Sequence, residues 1–206
     1  RAVTSLVRWA YRGASRVVVL SHGFKSALLT RGVPDSKVEV IHNWTYESSQ
    51  SMPELPSTST GSFTVVYAGD VGAVQALDVV LDAALLLVDD PVRFHVVGDG
   101  LDLTRLRTRA QELALGNVVF VSRQSPTAMS GIYRSASALL VHLRDDPLFA
   151  ITVPSKTQAY LMAGRPILMG VRGDAARIVQ DAGCGLPFEP ESAPDLARAV
   201  RELIAL

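Results

Sequence analysis

This sequence of 206 residues has a single cysteine, no excess of charge of either sign and few aromatic residues. Cys184 cannot form a disulfide within the chain, which fits a reducing compartment. The 20 basic side chains are balanced by 20 acidic ones, which excludes a basic surface that holds a nucleic-acid backbone through many contacts. No stretch approaches the roughly 18 apolar residues that a membrane-spanning helix needs. An anion would therefore have to be bound by a local site.

The length of the chain lies between one minimal domain and two full α/β domains. Hydrophobic residues make up 48% and charged residues 19%, which provides material for a core and argues against disorder. The sequence begins at Arg1 without an initiator Met or a recognisable signal region, which predicts a fragment or a processed form. One complete domain preceded by part of another is the simplest organisation.

A segment rich in Ser, Thr, Pro and Gly predicts a linker at residues 46–62. It separates a front segment, residues 1–45, from a larger domain, residues 63–206. The front segment is predicted to contain a strand at 16–20, a helix at 23–31 and a strand at 37–41.

Strand and helix patterns alternate throughout the larger domain. We predict strands at 63–67, 92–97, 118–121, 138–142 and 166–169. We predict helices at 77–88, 103–113, 126–134, 155–163, 175–182 and 194–203. Strands joined through helices form parallel sheets that are covered on both faces. The sequence therefore predicts a Rossmann-like, doubly wound α/β domain.

Two glycine loops follow predicted strands. Gly69 and Gly72 lie between the first strand and the first long helix, where backbone N–H groups can face an anion. Their spacing lacks the first glycine of the dinucleotide fingerprint and the Lys-Ser/Thr of a P-loop, so tight packing of strand on helix is an equal alternative. Gly98 lies in a second loop at the same expected edge of the sheet, where ligands of open parallel sheets bind. A simple turn is the alternative there.

The tripeptide Pro154-Ser155-Lys156 opens a predicted helix. A proline near the first helical turn, beside a hydroxyl and an ammonium group, suits the binding of a diphosphate. A solvated lysine is the alternative interpretation. His142 ends another predicted strand, and we expect it to be a hydrogen-bonded histidine at the edge of the core rather than a polar group in a cleft.

Taken in order, these motifs resemble the family 4, or group 1, retaining glycosyltransferases, in particular the branch that builds capsular and O-antigen polysaccharides. The resemblance rests on Tyr67-Ala-Gly69-Asp-Val-Gly72, Val97-Gly98-Asp99-Gly100, Asn117-Val-Val-Phe120, Pro154-Ser155-Lys156, Tyr160-Leu-Met-Ala163-Gly164-Arg-Pro166-Ile and Ala182-Gly183-Cys184-Gly185-Leu. It covers almost the whole chain.

The resemblance implies a GT-B architecture, in which two Rossmann-like domains face each other across a cleft. Residues 1–45 would be the end of the N-terminal, acceptor-binding domain, and residues 63–206 would bind a nucleoside-diphosphate sugar. Donor-binding residues would be Gly69, Gly72, Gly98, Arg123, Thr152, Val153, Ser155 and Lys156. Thr152 and Val153 would contribute their backbone, and Arg123 would lie near the base.

The resemblance further implies transfer of a sugar, with retention of configuration, to a glycan or a lipid-linked acceptor. It implies no cofactor and no metal. The catalytic residues are not assigned, and the fragment alone is expected to be inactive. A cytoplasmic location is expected, and the resemblance leaves open a peripheral membrane association through the N-terminal domain, at the inner face of the membrane.

The sequence departs from the family at four positions. Asp70 and Gln75 stand where the family commonly has Arg and Lys, and Ile151 and Ala159 stand where many members have glutamates. A ribose would then lack its carboxylate partner unless Gln158 replaces it. Two alternatives therefore stay open, a degenerate nucleotide-sugar-binding module without turnover and a GT-B sugar-nucleotide epimerase.

Overall fold

A computed structural model describes residues 2–45 and 61–206 of the chain. Most of the predicted linker at 46–62 lies outside these residues, so the domain boundary stays a prediction. The two described segments are presented in chain order.

The front segment forms a small βαβ unit behind an N-terminal helix. Its elements are α1 (Ala2–Gly13), β1 (Val17–Val19), α2 (His22–Thr30), a 3-10 turn (Asp35–Lys37) and β2 (Val38–Val40). β1 and β2 pair in parallel, and Val19, Leu28, Val33 and Val38 form the core between strands and helix. Ser21 caps α2 by accepting a hydrogen bond from the Phe24 N–H at 3.1 Å. The unit agrees with the strands and helix predicted from the sequence.

The second segment is an open parallel sheet with helices on both faces, as the alternating pattern predicts. Its elements are β3 (Phe63–Asp70), α3 (Asp78–Leu86), β4 (Val92–Asp99), α4 (Leu103–Glu112), β5 (Val118–Val121), α5 (Pro126–Ser135), β6 (Ala138–His142), α6 (Pro147–Ala150), α7 (Lys156–Ala163), β7 (Ile167–Gly170), α8 (Asp174–Asp181), β8 (Gly185–Pro187) and α9 (Ala193–Ile204). The six strands are ordered β5-β4-β3-β6-β7-β8 and all pair in parallel.

Alternation along each strand produces two cores, one on each face of the sheet. Val65 and Tyr67 of β3 point to the face that is covered by α3, α4 and α9. Val66 and Ala68, the residues between and after them, belong to the core that contains Tyr160 of α7 and residues of α5 and α8. Because successive strand residues face opposite sides, near-continuous apolar strands are what a sheet covered on both faces requires.

Three helices or strands, α1, α6 and β8, were not predicted from the sequence, and two strands, β3 and β4, are longer than predicted. α6 is a single turn with Pro147 at its start, capped by Asp146, whose carboxylate accepts from the Leu148 N–H at 2.8 Å. β8 has only three residues and completes the sheet beside β7. β3 continues through Asp70, so Gly69 lies within the strand and pairs with Gly98 instead of standing in a loop.

The two segments contact each other at the start of α2. The Ser21 hydroxyl donates to the carbonyl of Ile151 at 2.5 Å, and the Gly23 N–H donates to a carboxylate oxygen of Asp174 at 2.6 Å. Asp174 therefore acts as a second cap for α2, supplied by the other segment. A Cβ atom on Gly23 would lie 2.6 Å from the Cβ of Ile151, so only glycine permits this approach.

We expect Gly23→Ala to lower the free energy of unfolding by about 1–3 kcal/mol, because the added methyl group forces Ile151 and Asp174 away from α2. Urea unfolding followed by circular dichroism measures the change. Gly116→Ala is the matched control, since a Cβ there meets nothing within 4 Å. Equal stability of the Gly23 variant and the control would contradict this contact.

Candidate functional site

A cavity of about 480 Å³ opens at the centre of the sheet, where strand order reverses. β3 continues outward to β4, whereas its other neighbour, β6, continues to β7 on the opposite side. The connections that leave the two strands therefore diverge and leave a crevice beyond their carboxyl ends, the usual ligand position in such sheets. The cavity is lined by Ala68, Gly69, Asp70, Gln75, Tyr133, Val141, His142, Leu143, Pro154, Ser155 and Lys156.

A larger cavity of about 660 Å³ lies in the front segment, between α1 and the turn that precedes β2. Its lining is basic and includes Arg8, Arg12, Arg31 and Lys37, but none of the site residues predicted from the sequence. The crevice of the sheet is lined by three of those residues, Gly69, Ser155 and Lys156, so it is the candidate site.

The end of β3 and the start of α7 meet in the crevice. The Lys156 ammonium lies 3.8 Å from the centroid of the Tyr67 ring, a cation–π contact. It also lies 3.0 Å from the place where a Cβ of Gly69 would be. A side chain at position 69 would therefore displace the lysine, and the absence of one lets the ammonium group reach the end of β3.

The electrostatic environment of Lys156 is unusual for a lysine. Burial lowers the pKa of its ammonium to about 7, and the negative charge of Asp70 opposes this shift. Among the described residues, no carboxylate forms an ion pair with its Nζ atom. The pocket therefore contains a cation without a fixed counter-ion, which an anionic ligand can supply.

The start of α7 adds further anion-binding groups beside Lys156. Ser155 precedes the helix, and its hydroxyl makes no capping hydrogen bond. The N-terminus of a helix carries a partial positive charge, which stabilises a nearby anion. Tyr160 ties this helix to β3, because its hydroxyl accepts from the Ala68 N–H at 3.1 Å.

Asp70 and Arg123 form an ion pair of 3.1 Å at the rim of the crevice. Both side chains are largely exposed, so the pair contributes little to stability. Asp70 stands where the resemblance leads us to expect an arginine. The ion pair brings Arg123, from the loop after β5, to the side of that carboxylate. The charge of Asp70 is thus partly offset by Arg123.

The other predicted site residues have structural roles in this conformation. The Gly72 N–H donates to the side-chain oxygen of Gln75 at 3.2 Å, so it is already bonded. A Cβ on Gly98 would lie 1.9 Å from the Gly69 carbonyl oxygen, so close packing of β3 on β4 explains that glycine. The Thr152 N–H donates to Phe149 O at 3.0 Å, and Val153 is buried. None of these four residues lines the crevice.

Three residues that shape this site were not predicted from the sequence: Tyr67, Tyr160 and Gln75. Tyr160 could have been predicted, because its i,i+4 spacing from Lys156 places both side chains on one face of a helix. The contact of Lys156 with Tyr67 joins residues far apart in sequence and left no local pattern.

His142 is a hydrogen-bonded histidine, as expected. It is fully buried, and both of its ring nitrogens have backbone partners, Gln75 and Glu191.

Over residues 2–45 and 61–206, no group of three or more His, Cys, Asp or Glu side chains is arranged to hold a metal ion. Within the same two ranges, none of the helices combines the length and the apolar character that crossing a membrane requires.

Comparison with known proteins identifies the family of this chain. Residues 62–205 match the profile of the family described as "Glycosyl transferases group 1". The chain is 26% identical over 217 residues to the probable glycosyltransferase WbjE of Pseudomonas aeruginosa, covering 100% of this chain and 54% of that protein. It is 24% identical to the putative colanic acid biosynthesis glycosyl transferase WcaI of Escherichia coli (strain K12), covering 98% and 53%. The chain thus spans about half the length of these relatives.

Solved structures of glycosyltransferases have the same fold. Anabaena Alr3699/HepE in complex with UDP-glucose superimposes with a TM-score of 0.76 at 18% identity, covering 96% of this chain and 56% of that one. WaaG, a glycosyltransferase involved in lipopolysaccharide biosynthesis, superimposes with a TM-score of 0.73 at 16% identity, covering 94% and 55%. These likenesses confirm the predicted GT-B fold.

The lowered pKa of Lys156 can be measured directly, because the chain has only three lysines, Lys25, Lys37 and Lys156. In an NMR titration of lysine labelled at Cε, we expect one signal to titrate with a pKa of about 7. Lys156→Arg should remove that signal, and Asp70→Asn should lower its pKa further, since Asp70 favours the charged form. A Lys156 pKa near the usual 10.5 would show that the ammonium is solvated instead.

Proposed function

The chain belongs to the group 1 glycosyltransferase family, and we propose that residues 63–206 bind a nucleoside-diphosphate sugar as glycosyl donor. We propose further that the protein transfers the sugar, with retention of configuration, to a glycan or a lipid-linked acceptor. The observation that carries the proposal is the meeting of Gly69 with Ser155 and Lys156 in one crevice.

Similar proteins support the choice of ligand. Alr3699/HepE has been solved in complex with UDP and glucose and with UDP-glucose, and a mutant of S. aureus TarM in complex with Fondaparinux, alpha-GlcNAc-glycerol and UDP. The relative WcaI carries a name that refers to colanic acid biosynthesis, which supports a role in building bacterial polysaccharides. We propose the same two properties for the present chain, binding of a nucleoside-diphosphate sugar and a role in polysaccharide synthesis.

The crevice can stabilise a departing nucleoside diphosphate. Negative charge on the bridging and terminal oxygens grows as the glycosidic bond breaks. An ammonium group at Lys156, the hydroxyl of Ser155 and the N-terminus of α7 all lie where they can meet that charge. Partial burial strengthens these interactions, because the effective dielectric constant is lower than in water. This chemistry needs no metal and no cofactor.

Binding of a diphosphate would oppose the lowering of the Lys156 pKa that burial causes. An anion beside the amine favours its protonated form, so binding should raise the pKa from about 7. Asp70 would repel the same anion, and its ion pair with Arg123 reduces that repulsion. We propose that Lys156 and Arg123 replace the two family cations that the sequence lacks.

We propose a cytoplasmic location, which the free Cys184 supports because reduced thiols persist in reducing compartments. Peripheral association with the inner face of the membrane, through the N-terminal domain, remains part of the proposal.

Titration calorimetry with UDP, GDP and their sugars tests donor binding. We expect the chain to bind at least one of them, and Lys156→Ala to weaken binding about ten- to a hundredfold, as loss of a charge-assisted hydrogen bond does. Lys25→Ala is the matched control, because Lys25 pairs with Asp35 in the front segment. Binding to none of these ligands at millimolar concentration would defeat the proposal.

A degenerate binding module is the second candidate, favoured by the absence of carboxylates at Ile151 and Ala159. Ile151 packs against the front segment: its carbonyl oxygen accepts from the Ser21 hydroxyl, and its side chain lies against Gly23. Ala159 is half-buried and packs against the core around Tyr160. The ribose of a bound donor would thus meet no carboxylate at these two positions.

If the site is functional but weak, Ala159→Glu should strengthen donor binding about tenfold, through a new charge-assisted hydrogen bond to a ribose hydroxyl. Ala159→Gln is the matched control, with the same shape and no charge. Calorimetry on both variants measures the effect. Unchanged affinity in the Glu variant, with stability retained, would instead favour the degenerate module.

A further inference from the structure

His142 lies at the end of β6, where its imidazole joins two distant turns. One ring nitrogen, Nδ1, lies 2.7 Å from the carbonyl oxygen of Gln75. The other, Nε2, accepts a hydrogen bond from the Glu191 N–H at 2.9 Å. The side chain is fully buried, so no water replaces either partner.

These two partners fix the tautomer of the ring. A backbone N–H can only donate, so Nε2 must be an unprotonated acceptor. A carbonyl oxygen can only accept, so Nδ1 must carry the proton and donate it to Gln75. The imidazole is therefore neutral, and burial, which lowers its pKa, keeps it so.

The plane of the ring is fixed as well. The imidazole stacks on Phe188 with centroids 5.8 Å apart and an angle of 8° between the planes. Gly170 borders the same slot, because a Cβ there would lie 2.5 Å from Cδ2 of His142 and 2.3 Å from Cζ of Phe188. The ring cannot turn without disturbing this packing.

The loop held by this ring is the one that follows Gly69. Gln75 accepts from His142 through its backbone carbonyl, and its side-chain oxygen accepts the Gly72 N–H at 3.2 Å. A second bond to the β6 connection runs from the Arg144 N–H to Val74 O at 2.9 Å. The next residue, Ala76, has a φ of +45°, a conformation that L-residues rarely adopt without external support.

We propose that His142 is a positioning residue for the donor site: its neutral, Nδ1-protonated ring holds the loop of residues 72–76 in the conformation that receives the diphosphate. The inference rests on the proposed function. His142 acts through Gln75 and touches none of the reacting atoms. Its second bond, to Glu191, ties the same loop to the turn that precedes α9.

Two substitutions separate the two bonds of the ring. The amide of Asn places a donor near the position of Nδ1, so His142→Asn can keep the bond to Gln75. The longer amide of Gln places an acceptor near Nε2, so His142→Gln can keep the bond to Glu191 and lose the one to Gln75. Both remove the stacking on Phe188, so both should lose stability to a similar extent.

We expect His142→Gln to weaken UDP binding about tenfold relative to His142→Asn, because only the Gln variant releases the loop. Amide hydrogen exchange at residues 72–76, measured without ligand, should be faster in the Gln variant than in the Asn variant. Nitrogen NMR of the chain's four histidines should show His142 as the Nδ1–H tautomer.

The outcomes separate this inference from the proposed function. Failure of the wild-type chain to bind nucleotides would end the proposed function, while hydrogen exchange would still show whether His142 holds the loop. Equal exchange in the Asn and Gln variants, equal UDP affinity in the two, or an Nε2–H tautomer would each overturn the positioning role.

Discussion

The reversal of strand order between β3 and β6 is the constraint on which the rest of the structure depends. These neighbouring strands send their chains to opposite sides, so no connection crosses the space beyond their carboxyl ends. That space is occupied by the end of β3, the end of β6 and the start of α7. Gly69 and Lys156 are separated by almost ninety positions in the sequence. They come into contact there because the end of β3 and the start of α7 border the same crevice.

The charges in the crevice have to act locally, because the chain as a whole is neutral. Lys156 has a lowered pKa because it is buried beside an aromatic ring rather than paired with an acid. Asp70 faces Arg123 at the rim, and the hydroxyl of Ser155 lies at the start of α7. With a pKa of about 7, Lys156 is only partly protonated near neutral pH, and a bound anion would raise that pKa so that the amine takes up a proton from the solvent. Selectivity for a diphosphate would come from the positions of these polar groups more than from the net charge of the site.

Most of the fold could be predicted from the sequence, because apolar residues recur with a period of 2 in strands and 3.6 in helices, and long elements show that period clearly. Of the exceptions, α6 and β8 have four and three residues, too few to show a period, whereas α1 has 12 residues and was not predicted. Gly69 and Ser155–Lys156 were predicted from glycine placement and helix-start chemistry, and the structure brings them together in one crevice. The roles of Gly98 and Thr152 were not, because they depend on the contact with Gly69 and the hydrogen bond to Phe149, which only coordinates show. The bonds of His142 to Gln75 and Glu191 likewise span long sequence distances.

The central claim is that one crevice, between the end of β3 and the start of α7, receives a diphosphate. A crystal structure of this chain grown with UDP tests it most directly. We expect the diphosphate between Gly69 and Ser155, with a phosphate oxygen about 2.7–2.9 Å from Nζ of Lys156. A UDP molecule bound instead in the basic cavity of the front segment, beside Arg8, Arg12 and Arg31, with the crevice empty, would contradict it.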